Sequence, residues 1–144
     1  MSNLELAKSY FNSIQNNVAH ERAMNTVLTD LKSFLNYKKN PLFFQKDGKV
    51  LRISIQAGAG MYSSPRENLK FMDQYDACEI AFLDSSGFLN EKNNDFIKSL
   101  IEKFELSTGD GVFGYVPVQT IIEIIAFFLD NNFEYVSEII DILE

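Results

Sequence analysis

The segment from residue 56 to residue 67 reads Gln-Ala-Gly-Ala-Gly-Met-Tyr-Ser-Ser-Pro-Arg-Glu and carries the residue types best suited to binding a ligand. It follows an apolar run with the pattern of a β-strand, and its two glycines permit a close backbone approach or a bulge. Ser64, Pro65 and Glu67 have the spacing of a helix start, with serine as the N-cap and glutamate closing a capping box. The pattern therefore predicts a helix that begins at Ser64.

A helix start at this position would present unpaired N–H groups and a partial positive charge to an anion. Arg66 could add a bidentate contact to a phosphate or a carboxylate, and Tyr62 and Ser63 could donate hydrogen bonds through their hydroxyl groups. One hypothesis is therefore a ligand site at this turn. The other is a structural turn in which Arg66 pairs with a local acid, Glu67 or Glu79.

A second glycine-punctuated segment, residues 109–118, reads as a strand that leads into an apolar helix. The Tyr62–Arg66 turn, taken together with Gly114–Val118, resembles short motifs of small uncharacterised phage-type proteins. The resemblance is limited to these two motifs, carries no known activity, and implies a mobile-element origin. The candidate ligand-binding residues are Tyr62, Ser63, Ser64, Arg66 and Tyr115.

The residues that most often perform catalysis are scarce in this chain. His20 is the only histidine, and it lies in a polar break between helical stretches. Cys78 is the only cysteine, and its place in an apolar predicted strand favours a buried, inert thiol. The nearest carboxylate pairs fit ordinary turn or helix-start positions. We therefore predict no catalytic residue, no metal site and no cofactor, and we do not expect an enzyme.

The formal net charge of -7 is distributed unevenly along the 144 residues. Residues 1–103 carry all 13 Lys and Arg and 12 of the acids, whereas residues 104–144 carry eight acids and no Lys or Arg. Such a field repels phosphates and attracts basic surfaces. We expect a protein partner with a basic surface and no direct contact with nucleic acid; the alternative is that the acidic excess only maintains solubility.

The acids near the C-terminus have a spacing that would place them together on a helix. If residues 118–144 approximate one helical track, the acids cluster within about 60° of a common direction, because successive residues of a helix are about 100° apart. Such a stripe could meet a basic groove that normally holds nucleic acid. The candidate partner-binding residues are Glu123, Asp130, Glu134, Glu138 and Asp141.

The elements that position these residues are predicted from the periodicity of the apolar side chains. The pattern indicates an α+β fold in one domain over residues 1–144, with a small, mostly antiparallel sheet of about four strands and N-terminal and C-terminal helices packed over it. The predicted elements are helical segments within the first 40 residues, a hairpin turning at Asp47-Gly48, strands at Ala77–Leu83 and Gly111–Val116, and helices at Glu91–Phe104, from Val118, and from Phe133.

The last predicted helix has apolar side chains on most of its sides, so it needs cover. A homodimer would supply that cover, and so would packing within one chain. No run of about 18 apolar residues and no signal peptide is visible, so we expect no membrane contact and a cytoplasmic location, in the host cytoplasm if the protein is phage-borne.

Two functions are compatible with these features. The first is a non-enzymatic protein-interaction module, such as a phage-type inhibitor or immunity-like partner, that uses its acidic C-terminal surface against a basic target. The alternative is a small-molecule binding protein that grips a phosphate, nucleotide or carboxylate at the Tyr62–Arg66 turn.

Overall fold

The computed structural model describes residues 1–16, 39–107 and 111–137. Three α-helices and six β-strands lie within these residues, together with one 3-10 turn at Met72–Gln74. In chain order they are α1 (Asn3–Asn12), β1 (Leu42–Lys46), β2 (Lys49–Gln56), β3 (Ala77–Asp84), β4 (Gly87–Phe88), α2 (Asp95–Lys103), β5 (Val112–Pro117), α3 (Val118–Asp130) and β6 (Glu134–Val136).

The six strands form one sheet in the order β4-β3-β2-β1-β6, and every pairing is antiparallel. β5 pairs with β3 on the same edge as β4, at the opposite end of that strand. The predicted α+β class and antiparallel sheet are confirmed. The sheet has more strands than the expected four, because β4 and β6 are only two and three residues long and leave little periodicity in the sequence.

The hairpin between β1 and β2 is confirmed at the predicted Asp47-Gly48 turn. Both turn residues have positive φ, 52° for Asp47 and 77° for Gly48, as a two-residue turn requires when its twist matches that of the strands. This turn sets the register, in which Lys46 lies opposite Lys49. Alternate residues of β2 consequently face the core and are buried, namely Leu51, Ile53 and Ile55.

One face of the sheet is held to the helices by an aromatic cluster centred on Phe128 of α3, which is fully buried. Its ring centroid lies 5.1 Å from that of Phe44 in β1 and 6.2 Å from that of Phe82 in β3. On its other sides, Phe96 of α2 is 5.0 Å away and Phe133 is 5.1 Å away. Such contacts add to the free energy gained by burying the rings, so Phe128 fixes α3 over the sheet.

Two helices begin at side-chain caps. Ser2 caps α1 by accepting a hydrogen bond from the N–H of Glu5 at 3.1 Å. The second predicted helix starts later than expected, at Asp95 in place of Glu91. Asn94 is its cap and accepts from the N–H of Ile97 at 3.0 Å, while the residues before it form a turn.

The prediction of a helix from Phe133 is wrong over the residues that the structure describes. α3 ends at Asp130, and Glu134–Val136 form β6, which pairs with β1. A contact of Tyr135 stabilises the strand, because its ring stacks on Tyr10 of α1 at a centroid distance of 3.9 Å. The other predicted helical residues, in 17–38 and 138–144, lie outside the described residues, as does His20, and the homodimer that could cover that last helix stays a prediction.

The single thiol of the chain should be protected by the fold. Cys78 is fully buried in β3, and burial raises the pKa of its thiol to about 12. We expect an aromatic disulfide reagent at pH 8 to label Cys78 slowly in the native protein and rapidly in concentrated urea. Stoichiometric labelling of the native protein as fast as that of the denatured chain would contradict this placement.

Candidate functional site

The two motifs singled out from the sequence meet on the surface of the protein. The N–H of Tyr115 donates to the carbonyl oxygen of Tyr62 at 2.9 Å, and the two ring centroids lie 5.9 Å apart at an interplanar angle of 48°. The Arg66 guanidinium lies over the Tyr62 ring, with its central carbon 5.6 Å from the ring centroid. We refer to Tyr62, Arg66 and Tyr115 as the aromatic–arginine cluster.

A β-bulge in β5 brings Tyr115 into this cluster. Cys78 and Ile80 of β3 pair with Val116 and Phe113, and the register shifts between the two pairs. Two residues of β5 therefore lie between those pairs on one strand, opposite the single residue that lies between them on the other. A regular strand would alternate inward and outward side chains, but here Gly114 and Tyr115 are both exposed while their neighbours on either side are buried.

The conformation of Tyr115 has an energetic cost. Its φ is 52°, in the left-handed region, which a residue with a Cβ adopts at a cost of about 1–2 kcal/mol. The side chain is nevertheless 49% exposed, so the fold buries only about half of the surface that this residue could bury. Strained residues of this kind concentrate at functional sites. Here the strained backbone places one aromatic ring in solvent beside a second aromatic ring.

Gly114 and Glu79 hold Tyr62 against the bulge. A Cβ at position 114 would lie 2.8 Å from the Cβ of Tyr62, closer than real Cβ atoms approach, so only glycine permits the contact. On the other side, the half-buried Glu79 accepts a hydrogen bond from the N–H of Tyr62 at 3.0 Å through Oε2. The backbone of Tyr62 is therefore fixed through both its N–H and its carbonyl oxygen.

The predicted helix start at Ser64 is wrong. Ser64 bridges Ala77 of β3: its N–H donates to Ala77 at 3.0 Å, and its carbonyl accepts from Asp76 at 2.7 Å. The Ser64–Pro65 peptide bond is cis, and the next helical residues are the single 3-10 turn at Met72–Gln74. The backbone N–H and carbonyl of Ser64 are both hydrogen-bonded to β3 and its preceding residue, and no helix follows for Ser64 to cap. The turn therefore offers no helix N-terminus to an anion.

Ser63 also differs from its predicted role as an exposed donor. It is 1% exposed, and its hydroxyl accepts from the N–H of Gly58 at 3.1 Å and lies 3.2 Å from the carbonyl oxygen of Pro65. The hydroxyl therefore links Gly58 and Pro65, which belong to the same loop. Of the candidate ligand-binding residues, Tyr62, Arg66 and Tyr115 form the exposed cluster, Ser64 connects the loop to the sheet, and the Ser63 hydroxyl bonds within the loop.

Tyr75 anchors the same loop from the protein interior, and the sequence did not predict this role. Its ring is 3% exposed, and its hydroxyl donates to the carbonyl oxygen of Glu67 at 2.6 Å and accepts from the N–H of Leu69 at 2.8 Å. Burial raises the pKa of this phenol. A tyrosine two residues before a predicted strand was the only signal in the sequence, and it did not specify these partners.

The structural alternative for Arg66 predicted an ion pair with Glu67 or Glu79. Within the described parts of the chain, Arg66 has no carboxylate oxygen within the 4.0 Å that defines an ion pair. Glu79 instead accepts from the backbone of Tyr62. The guanidinium therefore lies over the exposed ring of Tyr62. Its N–H groups can donate to carbonyl, carboxylate or phosphate oxygens.

The acids proposed as a partner-binding stripe do not lie on one helix. Glu123 and Asp130 belong to α3 and line one groove, whereas Glu134 lies on β6 after the chain has left the helix. Glu138 and Asp141 lie outside the described residues. The single helical track is therefore wrong at Glu134, and only the pair on α3 lies on a helix among the described residues.

Comparison of the chain with protein-family models, curated proteins and solved structures finds no match. Among residues 1–16, 39–107 and 111–137, no group of three or more His, Cys, Asp or Glu side chains could hold a metal ion. No helix in the same residues is long and apolar enough to cross a membrane.

The anchor at Tyr75 can be tested by removing one oxygen atom. We expect Tyr75→Phe to lower the free energy of unfolding by about 1 kcal/mol, because Glu67 and Leu69 lose a partly buried hydrogen-bond partner. Urea denaturation measures this loss. Tyr10→Phe is the matched control, since Tyr10 is a half-buried ring that stacks on Tyr135. Equal losses in the two variants would show that the Tyr75 hydroxyl holds nothing in place.

The close approach of Gly114 to Tyr62 predicts a coupling between the two positions. Gly114→Ala should destabilise the protein by about 1–3 kcal/mol through overpacking against the Tyr62 Cβ. In a Tyr62→Gly background the clash is absent, so the same substitution should cost markedly less. Denaturation of the two single variants and the double variant measures the difference, and a cost that is unchanged in the double variant would contradict the contact.

Proposed function

We propose that the protein is a non-enzymatic protein-binding module and that the aromatic–arginine cluster is its contact surface. The observation that carries the proposal is the bulge at Gly114 and Tyr115, which holds a strained tyrosine against a second tyrosine while both rings stay about half exposed. Tyr62 is 56% exposed and Tyr115 is 49% exposed. A partner that covers both rings would gain the free energy of burying the ring surface that the fold leaves exposed.

The composition of the cluster favours a protein partner. Tyrosine and arginine are enriched among the residues that contribute most to binding energy, because they combine a large contact area with directed hydrogen bonds. The backbones that carry both rings are fixed by named hydrogen bonds, so little conformational freedom remains to be lost on binding. The cluster therefore has the chemistry and the rigidity of a binding hot spot.

The alternative of a small-molecule site has less support. An anion at this turn was expected to use a helix start and the hydroxyl of Ser63, and neither is available. Three grooves of the protein are lined by other residues, and none of them includes Tyr62, Arg66 or Tyr115. A small ligand is best held in a concave site, whereas a partner protein can cover a flat one.

The charge of the chain shapes the choice of partner. With a formal net charge of -7, the protein attracts basic surfaces at long range, while Arg66 provides a local donor to carbonyl or carboxylate oxygens. The resemblance of the two motifs implies a mobile-element origin and no activity, and an inhibitor or immunity-like role is the form of this function that we propose for such an origin. We place that role in the cytoplasm as part of the same proposal.

Three single substitutions test the contact surface. Tyr62→Ala, Tyr115→Ala and Arg66→Ala each remove an exposed side chain, so each should change the free energy of unfolding by less than about 1 kcal/mol. A partner captured from the native host lysate by the tagged wild-type protein and then purified should bind at least one tyrosine variant about 30-fold more weakly, since a hot-spot residue contributes about 2 kcal/mol. Titration calorimetry measures the affinities.

The control for these variants is Phe88→Ala. Phe88 is 50% exposed and lies in β4, opposite Leu83 at the far end of β3 from the bulge. The proposal fails if all three cluster variants bind the partner like the wild type, or if Phe88→Ala weakens binding more than they do. Native mass spectrometry of the purified protein covers the alternative, because a small ligand that is lost in Arg66→Ala would favour the small-molecule function.

A further inference from the structure

A groove of about 480 Å³ lies where the start of α1 and the end of α2 meet α3. Its apolar part is formed by Leu4, Phe104 and Phe127, and its charged part by Lys103, Glu123 and Asp130. A cleft of this size is within the range of about 300–1,000 Å³ that binding sites commonly have. It shares no residue with the aromatic–arginine cluster.

We propose that this groove binds a cationic amphipathic segment of a protein partner. Apolar side chains of the segment would lie on Phe104 and Phe127, and separate Lys or Arg side chains would lie against Glu123 and against Asp130. The proposal does not depend on the contact surface proposed above, because a separate set of residues carries it.

The charge of α3 is the first argument for a cationic partner. Glu123 and Asp130 are the only charged residues among the thirteen of this helix, and both line the groove. They are seven residues apart, so they lie on one side of the helix about 10.5 Å apart along its axis. A segment with cationic side chains on one face can reach both carboxylates.

The position of Asp130 strengthens the argument. It occupies the last turn of α3, where the helix dipole is negative and a cation would be favoured, yet no basic residue lies in that turn. The side-chain amide of Asn3 donates to its Oδ1 at 2.6 Å and holds the carboxylate at the groove. The free protein therefore keeps an acid where its own helix favours a positive charge, and a cation from a partner would relieve that mismatch.

The aromatic floor is fixed before any partner binds. Phe127 stacks on Phe96 with centroids 5.4 Å apart and meets Phe104 edge-on at 5.8 Å. The Lys103 ammonium lies 5.8 Å from the centroids of both Phe104 and Phe127, on the α2 side of the groove. The groove thus has a negative wall on α3 and a rigid apolar floor, which matches the two faces of a cationic amphipathic helix.

Two synthetic 18-residue helical peptides test the proposal. One carries leucines at helical spacing with lysines on the remaining faces, and the other replaces every lysine with glutamate. We expect the lysine peptide to bind the wild-type protein in 50 mM salt, measured by fluorescence anisotropy, and to bind more weakly in 300 mM salt because added ions screen the contact. The glutamate peptide should not bind.

Matched variants separate the groove from the general negative charge of the protein. Glu123→Lys should weaken binding of the lysine peptide at least tenfold, and Asp130→Asn should weaken it while keeping an acceptor for Asn3. Glu134→Lys makes the same change of charge at the exposed first residue of β6 and should weaken binding less than threefold.

Four results would overturn the proposal: no binding of the lysine peptide, equal binding of the glutamate peptide, equal effects of the two lysine substitutions, or a dimer of the free protein that Glu123→Lys dissociates. The last result would assign the groove to a second copy of this chain. Tyr62→Ala should leave peptide binding unchanged, so a failure of the aromatic–arginine surface would not be mistaken for a failure of the groove.

Discussion

The register shift between β3 and β5 is the constraint on which the exposed surface of this protein depends. Because two residues of β5 lie opposite one residue of β3, the strand turns Tyr115 outward beside Tyr62. Gly114 leaves the space that Tyr62 occupies, and Glu79 fixes the N–H of Tyr62 from the neighbouring strand. Without the shift, alternation would direct Tyr115 toward the core.

The core explains why the shift persists. The four residues that pair directly on either side of it, Cys78, Ile80, Phe113 and Val116, are all buried, so sliding β5 by one residue would move apolar side chains out of the core. The sheet beneath is fixed to α3 by Phe128, which contacts rings from two strands and from α2. Burial of apolar side chains on the core side of β3 and β5 thus provides the free energy that stabilises the strained backbone of Tyr115 on the exposed side.

The parts of the fold that the sequence predicted are those decided by neighbouring residues. The Asp47-Gly48 hairpin and the beginning of α3 at Val118 follow from turn chemistry and from helical periodicity. The helix start at Ser64 was wrong because the same pattern of Ser, Pro and Glu also suits a bridge to a strand that comes later in the chain. The strand at Glu134–Val136 and the bulge at Tyr115 depend likewise on partners distant in sequence, so both site motifs could be found but their meeting could not.

The most direct measurement of the central claim is site-specific photo-crosslinking of the exposed rings. A benzophenone amino acid placed at position 115, with position 88 as the control site, reports which surface lies against a partner in the native host. The account predicts a discrete adduct from position 115 that excess wild-type protein suppresses and an excess of the Tyr62→Ala/Tyr115→Ala double variant does not. An adduct that forms equally well from position 88, or that both competitors suppress equally, would contradict it.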